Sequence, residues 1–425
     1  MILTLALIVI STLLFWMMIR KPKGIPPGPI SFVPIFGNLT DLDPKHALTT
    51  LRKYRDRYGD IYSLKMGTRL AIIVNGQDTI KDILVKNADN FSNRPDMFIF
   101  REISKFQGLV GSSGSLWKEH RTFALSTLRL FGFGKKSLET DIKEEIKMCL
   151  QVLEDTNGKP YDIQNLIHAN ISNVTCALVF GKRFEHTDPK FVNIVKTMDE
   201  NFKNAGFASV LNFIPFLKYL PGDLFKAKLT LKNVNYVLEL LQDLIKEHEE
   251  SYDENNIRDY VDAYIKQMKS QEKEENNEQL LRSVSDLFVA GTETTATTIR
   301  WTILYFLHYP EVQEKMRIEI EEVVGNSRFP TMDDRSQLPY CEATITEILR
   351  CANIAPLSVP HTCDKNMMYK GYTIPKNTVI IPNLDSVMSD PALFPKPEKF
   401  EPLRFIDDQG KLCGQEKGLS WRSSC

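Results

Sequence analysis

The sequence lacks any cysteine pattern that could hold a small fold together. Its seven cysteines (Cys149, Cys176, Cys341, Cys351, Cys363, Cys413 and Cys425) are scattered, odd in number and never paired as CxxC. This argues against a disulfide framework and a zinc site, and makes a reducing compartment the default. An excess of one charge is also missing: 53 Lys and Arg stand against 54 Asp and Glu. A general nucleic-acid binder carries a basic excess, so no nucleic-acid partner is expected. Glycine and proline number only 21 and 22 in 425 residues, which excludes a collagen-like or low-complexity chain. What the chain does have is 43% hydrophobic residues, enough to bury a core and enclose a ligand.

Met1 to Ile19 carries no charged side chain. The run is long enough to span a bilayer or nearly so, and Trp16 near its end suits an interface. Arg20, Lys21 and Lys23 follow at once and would hold the downstream chain on the cytosolic side. A cleaved signal peptide is the competing reading, but no basic segment precedes the run and no small-x-small site follows it. Pro26-Pro27-Gly28-Pro29 then reads as a stiff hinge that cannot be helix. The sequons at Asn38, Asn90, Asn170 and Asn173 are chance matches in a cytosolic body.

Strand signals are few. Ile61 to Leu64 with Leu70 to Asn75 reads as one pair, and Tyr372 to Pro375 with Thr378 to Pro382 as another. Helical periodicity covers 45–58, 76–87, 115–129, 139–155, 161–180, 189–204, 223–252 and 257–270. The charged stretch Lys266 to Gln279 reads as a solvated helix end or loop. A long helix follows from about Glu278 to Tyr309. Pro310 opens the next, with Val312, Met316, Ile320 and Val323 on one face and Gly325 as its stop. Another starts near Pro339 and ends before Pro356. The expected body is one large, mainly α domain with small β-sheets.

Three constellations carry chemistry. The long helix contains Ala290-Gly291-Thr292-Glu293-Thr294-Thr295. Gly291 would let another element approach closely, and Thr294 could bond back to a carbonyl one turn earlier. An acid beside an alcohol in such a groove suits proton delivery, though alone the pattern describes a polar helix face. Glu347 and Arg350 share a helix face at i, i+3, and Arg404 in Pro402-Leu403-Arg404-Phe405 offers a third member for a buried network. Trp117 and Arg121 stand one turn apart, an indole N–H and a guanidinium suited to a carboxylate.

Taken together and in order, these elements resemble the cytochrome P-450 superfamily. Trp117 and Arg121 match its WxxxR, Ala290 to Thr295 its [AG]Gx[DE]T[TS], and Glu347 to Arg350 its ExxR; FEPLRF (400–405) is similar to its FxPxRF. NFSNRP (90–95), TLRLFGFGKKSLE (127–139), AGTETTATTIRW (290–301) and PLSVPH (356–361) resemble the vertebrate microsomal family 2. The resemblance implies an anchor at 1–20, a basic, proline-rich hinge at 21–38, a catalytic domain at 39–410 and a divergent tail at 411–425. It implies heme b, with Trp117, Arg121, His361 and Arg94 on its propionates. Glu293 and Thr294 would relay protons. Phe98, Phe106, Phe202, Ala290 and Ser358 would shape an apolar substrate pocket. Glu347, Arg350 and Arg404 would be structural. It further implies NADPH-cytochrome P-450 reductase and cytochrome b5 as partners, with Lys118, Arg129, Lys135 and Lys136 as docking contacts. The setting would be the endoplasmic reticulum membrane, with the body facing the cytosol. The activity would be haem-thiolate monooxygenation of fatty acids, steroids or xenobiotics.

One part of the pattern is missing. The family's FxxGxRxCxG, which supplies the iron's cysteine ligand, does not occur. After Gly410 the chain reads KLCGQEKGLSWRSSC, and neither Cys413 nor Cys425 has the required context. The expectation is therefore a C-terminally truncated, incomplete domain from a splice or gene-model end, with no metal ligand of the family's kind. Such a chain would bind haem poorly and be inactive; the alternative function is that of a non-catalytic product anchored in the membrane.

Overall fold

A computed structural model describes residues 21–31, 33–132, 138–270 and 277–413. The expected anchor at 1–20, the docking residues Lys135 and Lys136, and Cys425 in the tail lie outside the described residues. No helix among the described residues is long and apolar enough to cross a membrane.

The chain opens with the helix α1 (Ala47–Tyr58) and the hairpin β1 (Ile61–Met66) and β2 (Arg69–Val74). Gly67 sits between the strands at φ 61° with Phe213 and Ile214 packed against it, so a side chain there would clash. The helix expected at 76–87 is split: α2 (Gln77–Lys81) widens into a π turn over Asp82–Lys86, and α3 (Ala88–Phe91) follows. Then come α4 (Gly108–Gly111), α5 (Gly114–Leu130), α6 (Glu139–Asp155), α7 (Gln164–Phe180) and α8 (Pro189–Ser209). The Asp188 side chain caps α8 by accepting from the Lys190 and Phe191 amides, with Pro189 in the first turn, where its missing N–H costs nothing. Next are α9 (Ala227–Glu250), α10 (Tyr260–Ser270) and the 32-residue α11 (Asn277–His308). Pro310 and Pro339 open α12 (Pro310–Val323) and α13 (Pro339–Ala352), as the sequence predicts.

The second strand pair differs from expectation. Tyr372–Ile374 (β5) pairs with Met367–Tyr369 (β4), not with the segment after it. Val379–Pro382 (β6) instead lies parallel to β2 and antiparallel to His361–Thr362 (β3), giving the order β1-β2-β6-β3. Asn377 at φ 61° turns the chain out of a hairpin path, and its amide bonds the Cys363 carbonyl. All four residues of β6 are buried, as in a central strand covered on both faces. A last helical turn, α14 (Asp385–Met388), follows β6.

Apolar burial divides into a helical and a β half. Leu241, Val261, Leu280, Val284 and Phe288 pack where α9, α10 and α11 meet. Ile72, Val74, Ile80 and Ile380 form the core beside the sheet. Each such side chain contributes roughly 1.5–3 kcal/mol on burial. α11 thus runs through the middle of the helical half, and its other face is left to build the site.

Candidate active site and haem cradle

α11 buries Phe288, Thr292 and Ala296 but leaves Ala290, Thr294 and Trp301 exposed, so one stripe of the helix faces open space. Gly291 explains how close α7 comes: a Cβ there would lie 3.2 Å from Thr175 Oγ1. Thr294 Oγ1 donates to the Ala290 carbonyl at 2.7 Å, as the sequence predicts. This bond competes with the helix ladder at the point where the stripe opens. Glu293 turns toward α7. Its Oε1 accepts from Thr297 Oγ1 at 3.1 Å, and its Oε2 lies 3.4 Å from Nε2 of the buried His168. Burial lowers the His168 pKa, partly offset by the Glu293 charge.

A cationic cluster lies elsewhere in the molecule. Arg94 follows α3 and is held by three acceptors: Nε donates to Val110 O at 2.8 Å, and Nη1 donates to Pro360 O at 3.1 Å and to His361 Nε2 at 3.2 Å. His361 Nδ1–H donates in turn to Phe91 O at 2.8 Å. The ring is therefore neutral, with its proton on Nδ1. Burial, then the neighbouring Arg94 charge, pushes the His361 pKa down to about 3. Burial and the Arg121 charge bring Arg94 down to about 10, against a smaller pull from Asp286. Arg121, on α5, stacks its guanidinium over the Trp117 ring at 5.4 Å. Neither Arg94 nor Arg121 has a carboxylate within ion-pair distance among the described residues. Arg94, its charge depressed by Arg121, together with Arg121 and an indole N–H and with no carboxylate in ion-pair reach, makes a donor set suited to a dianionic ligand. The propionates of haem fit that requirement.

Sequence reasoning missed Asp286. It lies one turn before Ala290, half-buried, and its Oδ2 accepts from the Leu109 and Val110 amides at 2.7 and 2.8 Å. It thereby fixes α4, whose Val110 carbonyl holds Arg94. Gly108, at φ 77°, leaves room for that carboxylate. Burial pushes the Asp286 pKa up to about 6 despite the two amide bonds. The only local signal was an acid in the apolar run Leu287-Phe288-Val289.

The expected structural network is present. Arg350 Nε and Nη2 donate to both Glu347 oxygens at 2.7 and 2.8 Å, and Arg404 Nε donates to Glu347 Oε1 at 3.0 Å. Arg350 Nη1 reaches the Met388 carbonyl, and the Glu401 amide completes the carboxylate. Glu347 and Arg350 are fully buried, so this is a core assembly and not a solvated pair.

The pocket candidates lie on separate segments of the chain. Phe98 is packed with Leu211, Ile214 and Leu217. Phe106 and Phe202 are exposed, and Ser358 lies in a loop at φ 52°. The remaining question is the iron ligand. Burial is the largest cause raising the pKa of Cys149, Cys176, Cys341, Cys351 and Cys363, which disfavours a thiolate at each. Cys413 sits in a turn, its amide bonded to the Phe405 carbonyl.

A mainly helical body thus carries an acid–alcohol pair on a long central helix and two arginines beside an indole with no carboxylate in ion-pair reach among the described residues. Comparison with known families agrees: residues 26–420 match the Cytochrome P450 family model. The chain is 39% identical to Cytochrome P450 2H2 of Gallus gallus, over 91% of this chain and 79% of that relative. It is 38% identical to Cytochrome P450 2C28 of Mesocricetus auratus and to Cytochrome P450 2C14 of Oryctolagus cuniculus, each matched over 84% of its length. The chain belongs to the cytochrome P450 family. Its class is that of a monooxygenase with haem as cofactor, and the fold is the mainly helical one of that family.

Proposed function

We propose that this body oxidises small apolar organic substrates (fatty acids, steroids or xenobiotics) at the endoplasmic reticulum membrane. Electrons would come from NADPH through a flavoprotein reductase, with cytochrome b5 as a second donor. The observation that carries the reading is the Arg94–Arg121–Trp117 cluster without a counter-anion. In this reading those side chains bind the two propionates. His361 orients Arg94 from behind, both its nitrogens being already engaged. When bound, haem supplies oxygen activation. Thr294 would hold a proton donor near the open stripe of α11, and Glu293 would hand protons to it from the α7 side. Ala290, the exposed aromatic Phe106 and Ser358 would bound the substrate space. The uncharged run at 1–19 would anchor the body, with Lys21 and Lys23 at the cytosolic face. On the opposite side Lys118 and Arg129 would meet an acidic partner, joined by Lys135 and Lys136.

The test is a haem titration followed by absorbance. Arg121→Ala is expected to weaken haem binding about tenfold, the size of one charge-assisted interaction. Unchanged affinity would remove the propionate assignment.

A second reading concerns the polypeptide of these 425 residues on its own. FxxGxRxCxG is absent, and Cys149, Cys176, Cys341, Cys351 and Cys363 all have raised pKa values. We propose that this polypeptide by itself does not ligate haem iron through a thiolate and has little monooxygenase activity. It would then act, if at all, as a membrane-anchored non-catalytic product.

A further inference from the structure

A cavity of about 220 Å³ lies between the start of β2, the 96–102 segment and the turn at 215–219. It is lined by three cations and two carboxylates: Arg69, Arg101 and Lys218 with Asp96 and Glu102. The carboxylates are already used. Arg101 is ion-paired with Asp96, and Lys218 Nζ lies 2.6 Å from Glu102 Oε1. Arg69 is left over. Its buried Nε has no hydrogen-bond partner, and no ion pair reaches it among the described residues. Burial lowers its pKa, with Asp96 opposing and Arg101 reinforcing that shift. A buried donor on a charged group that lacks an acceptor is costly, so the site has unmet demand for an anion. The mouth is apolar: Phe216 and Tyr219 are exposed, Tyr219 to 79%. Phe98 closes the floor.

We propose that this cavity binds the phosphate head of an acidic phospholipid, with Arg69 as its principal contact and the acyl chain lying against Phe216 and Tyr219. One excess positive charge matches one phosphodiester or phosphomonoester group. The exposed aromatic rim selects an amphiphile over a free anion, since it offers area that only a hydrocarbon chain would cover. None of its charged lining residues belongs to the Arg94–Arg121–Trp117 cluster or to the stripe of α11, so lipid binding can be read without haem.

The experiment uses the full chain and short-chain, monomeric lipids, read by backbone hydrogen exchange at 96–102 and 215–219. Dihexanoyl phosphatidic acid is expected to protect both segments. Dihexanoyl phosphatidylcholine and inorganic phosphate should need about tenfold higher concentrations for equal protection. Arg69→Ala should lose about tenfold in phosphatidic acid affinity, with Arg69→Lys keeping most of it. Tyr219→Ser should weaken the lipid but leave inorganic phosphate unchanged, which separates a folding defect from loss of the rim. Equal protection by the choline lipid, or an Arg69→Ala variant that binds normally, would overturn the proposal. Inorganic phosphate binding as tightly as phosphatidic acid would overturn the lipid assignment and leave a free-anion site.

Discussion

Asp286 takes two backbone N–H bonds on one oxygen, and this makes its chemistry separable from its charge. Asn can accept both bonds through Oδ1, whereas Ala leaves two buried amides without acceptors. Asp286→Ala is expected to cost about 2–6 kcal/mol at roughly 1–3 per orphaned amide. Asp286→Asn should fold normally. The sign of the pH effect follows from the raised pKa of about 6. A folded carboxyl that holds its proton longer than the unfolded one gives stability that is complete below the unfolded value near 4. That stability is lost as pH rises through about 6. Denaturation between pH 4 and 7 should show this loss in the parent and not in Asp286→Asn. Glu347 is the opposite case, a buried charge whose removal strands two arginines. Glu347→Ala is expected to cost about 3–5 kcal/mol, measured by chemical denaturation, with Arg350 and Arg404 left facing an empty acceptor position. Both roles come from partners far away in sequence. Glu347 was legible because Arg350 lies three residues on and a loop arginine follows. Asp286 was marked only by its place beside an apolar run, because its partners are amides more than 170 residues earlier.

At the scale of elements, the long helices were legible almost to the residue, and the strand partners were not. Periodicity is a local property: α5, α6, α9 and α11 each repeat apolar residues at helical spacing, and Pro310 and Pro339 mark their own starts. Pairing is not local. β6 is a good strand wherever it goes, and its partner is the sheet edge made by β2, some 300 residues earlier. The joint of α7, α9 and α10 was also invisible in sequence. His248 lies there with only acceptors around it: Nδ1–H donates to Leu244 O at 2.7 Å, and Nε2–H faces Asp259 Oδ2 at 2.9 Å and Phe180 O at 3.2 Å. Burial lowers the His248 pKa, but the Asp259 and Leu244 bonds and the Asp259 and Asp262 charges outweigh it and raise the value. Arg258 is occupied by Asp262 and does not cancel that attraction. The imidazolium therefore stabilises the joint fully below about pH 6.5, and the contribution is lost as pH rises through the folded value. The stability gap between the parent chain and His248→Gln should shrink from pH 6 to pH 8. A gap that widens over that range would contradict the charged form.

For the whole molecule, the body divides labour between its two halves. The helical half supplies the stripe of α11 and the Trp117–Arg121 pair. The sheet half supplies His361, while Arg94 lies between them with one hydrogen bond to Val110 and two to the 360–361 segment. The sequence marked Trp117 and Arg121 through a motif, and Arg94 and His361 through resemblance to the family. They could not show that His361 spends both nitrogens on protein groups, which depends on where β3 comes to rest beside Phe91. The central proposal is that Arg94, Arg121 and Trp117 hold the cofactor's anionic edge, and that these 425 residues by themselves give its iron no thiolate. The most direct measurement is the reduced carbon-monoxide difference spectrum of the full chain after haem reconstitution. The account predicts weak haem binding with no thiolate-type Soret band. A clear thiolate-type band that disappears in Cys413→Ser or Cys425→Ser would contradict it.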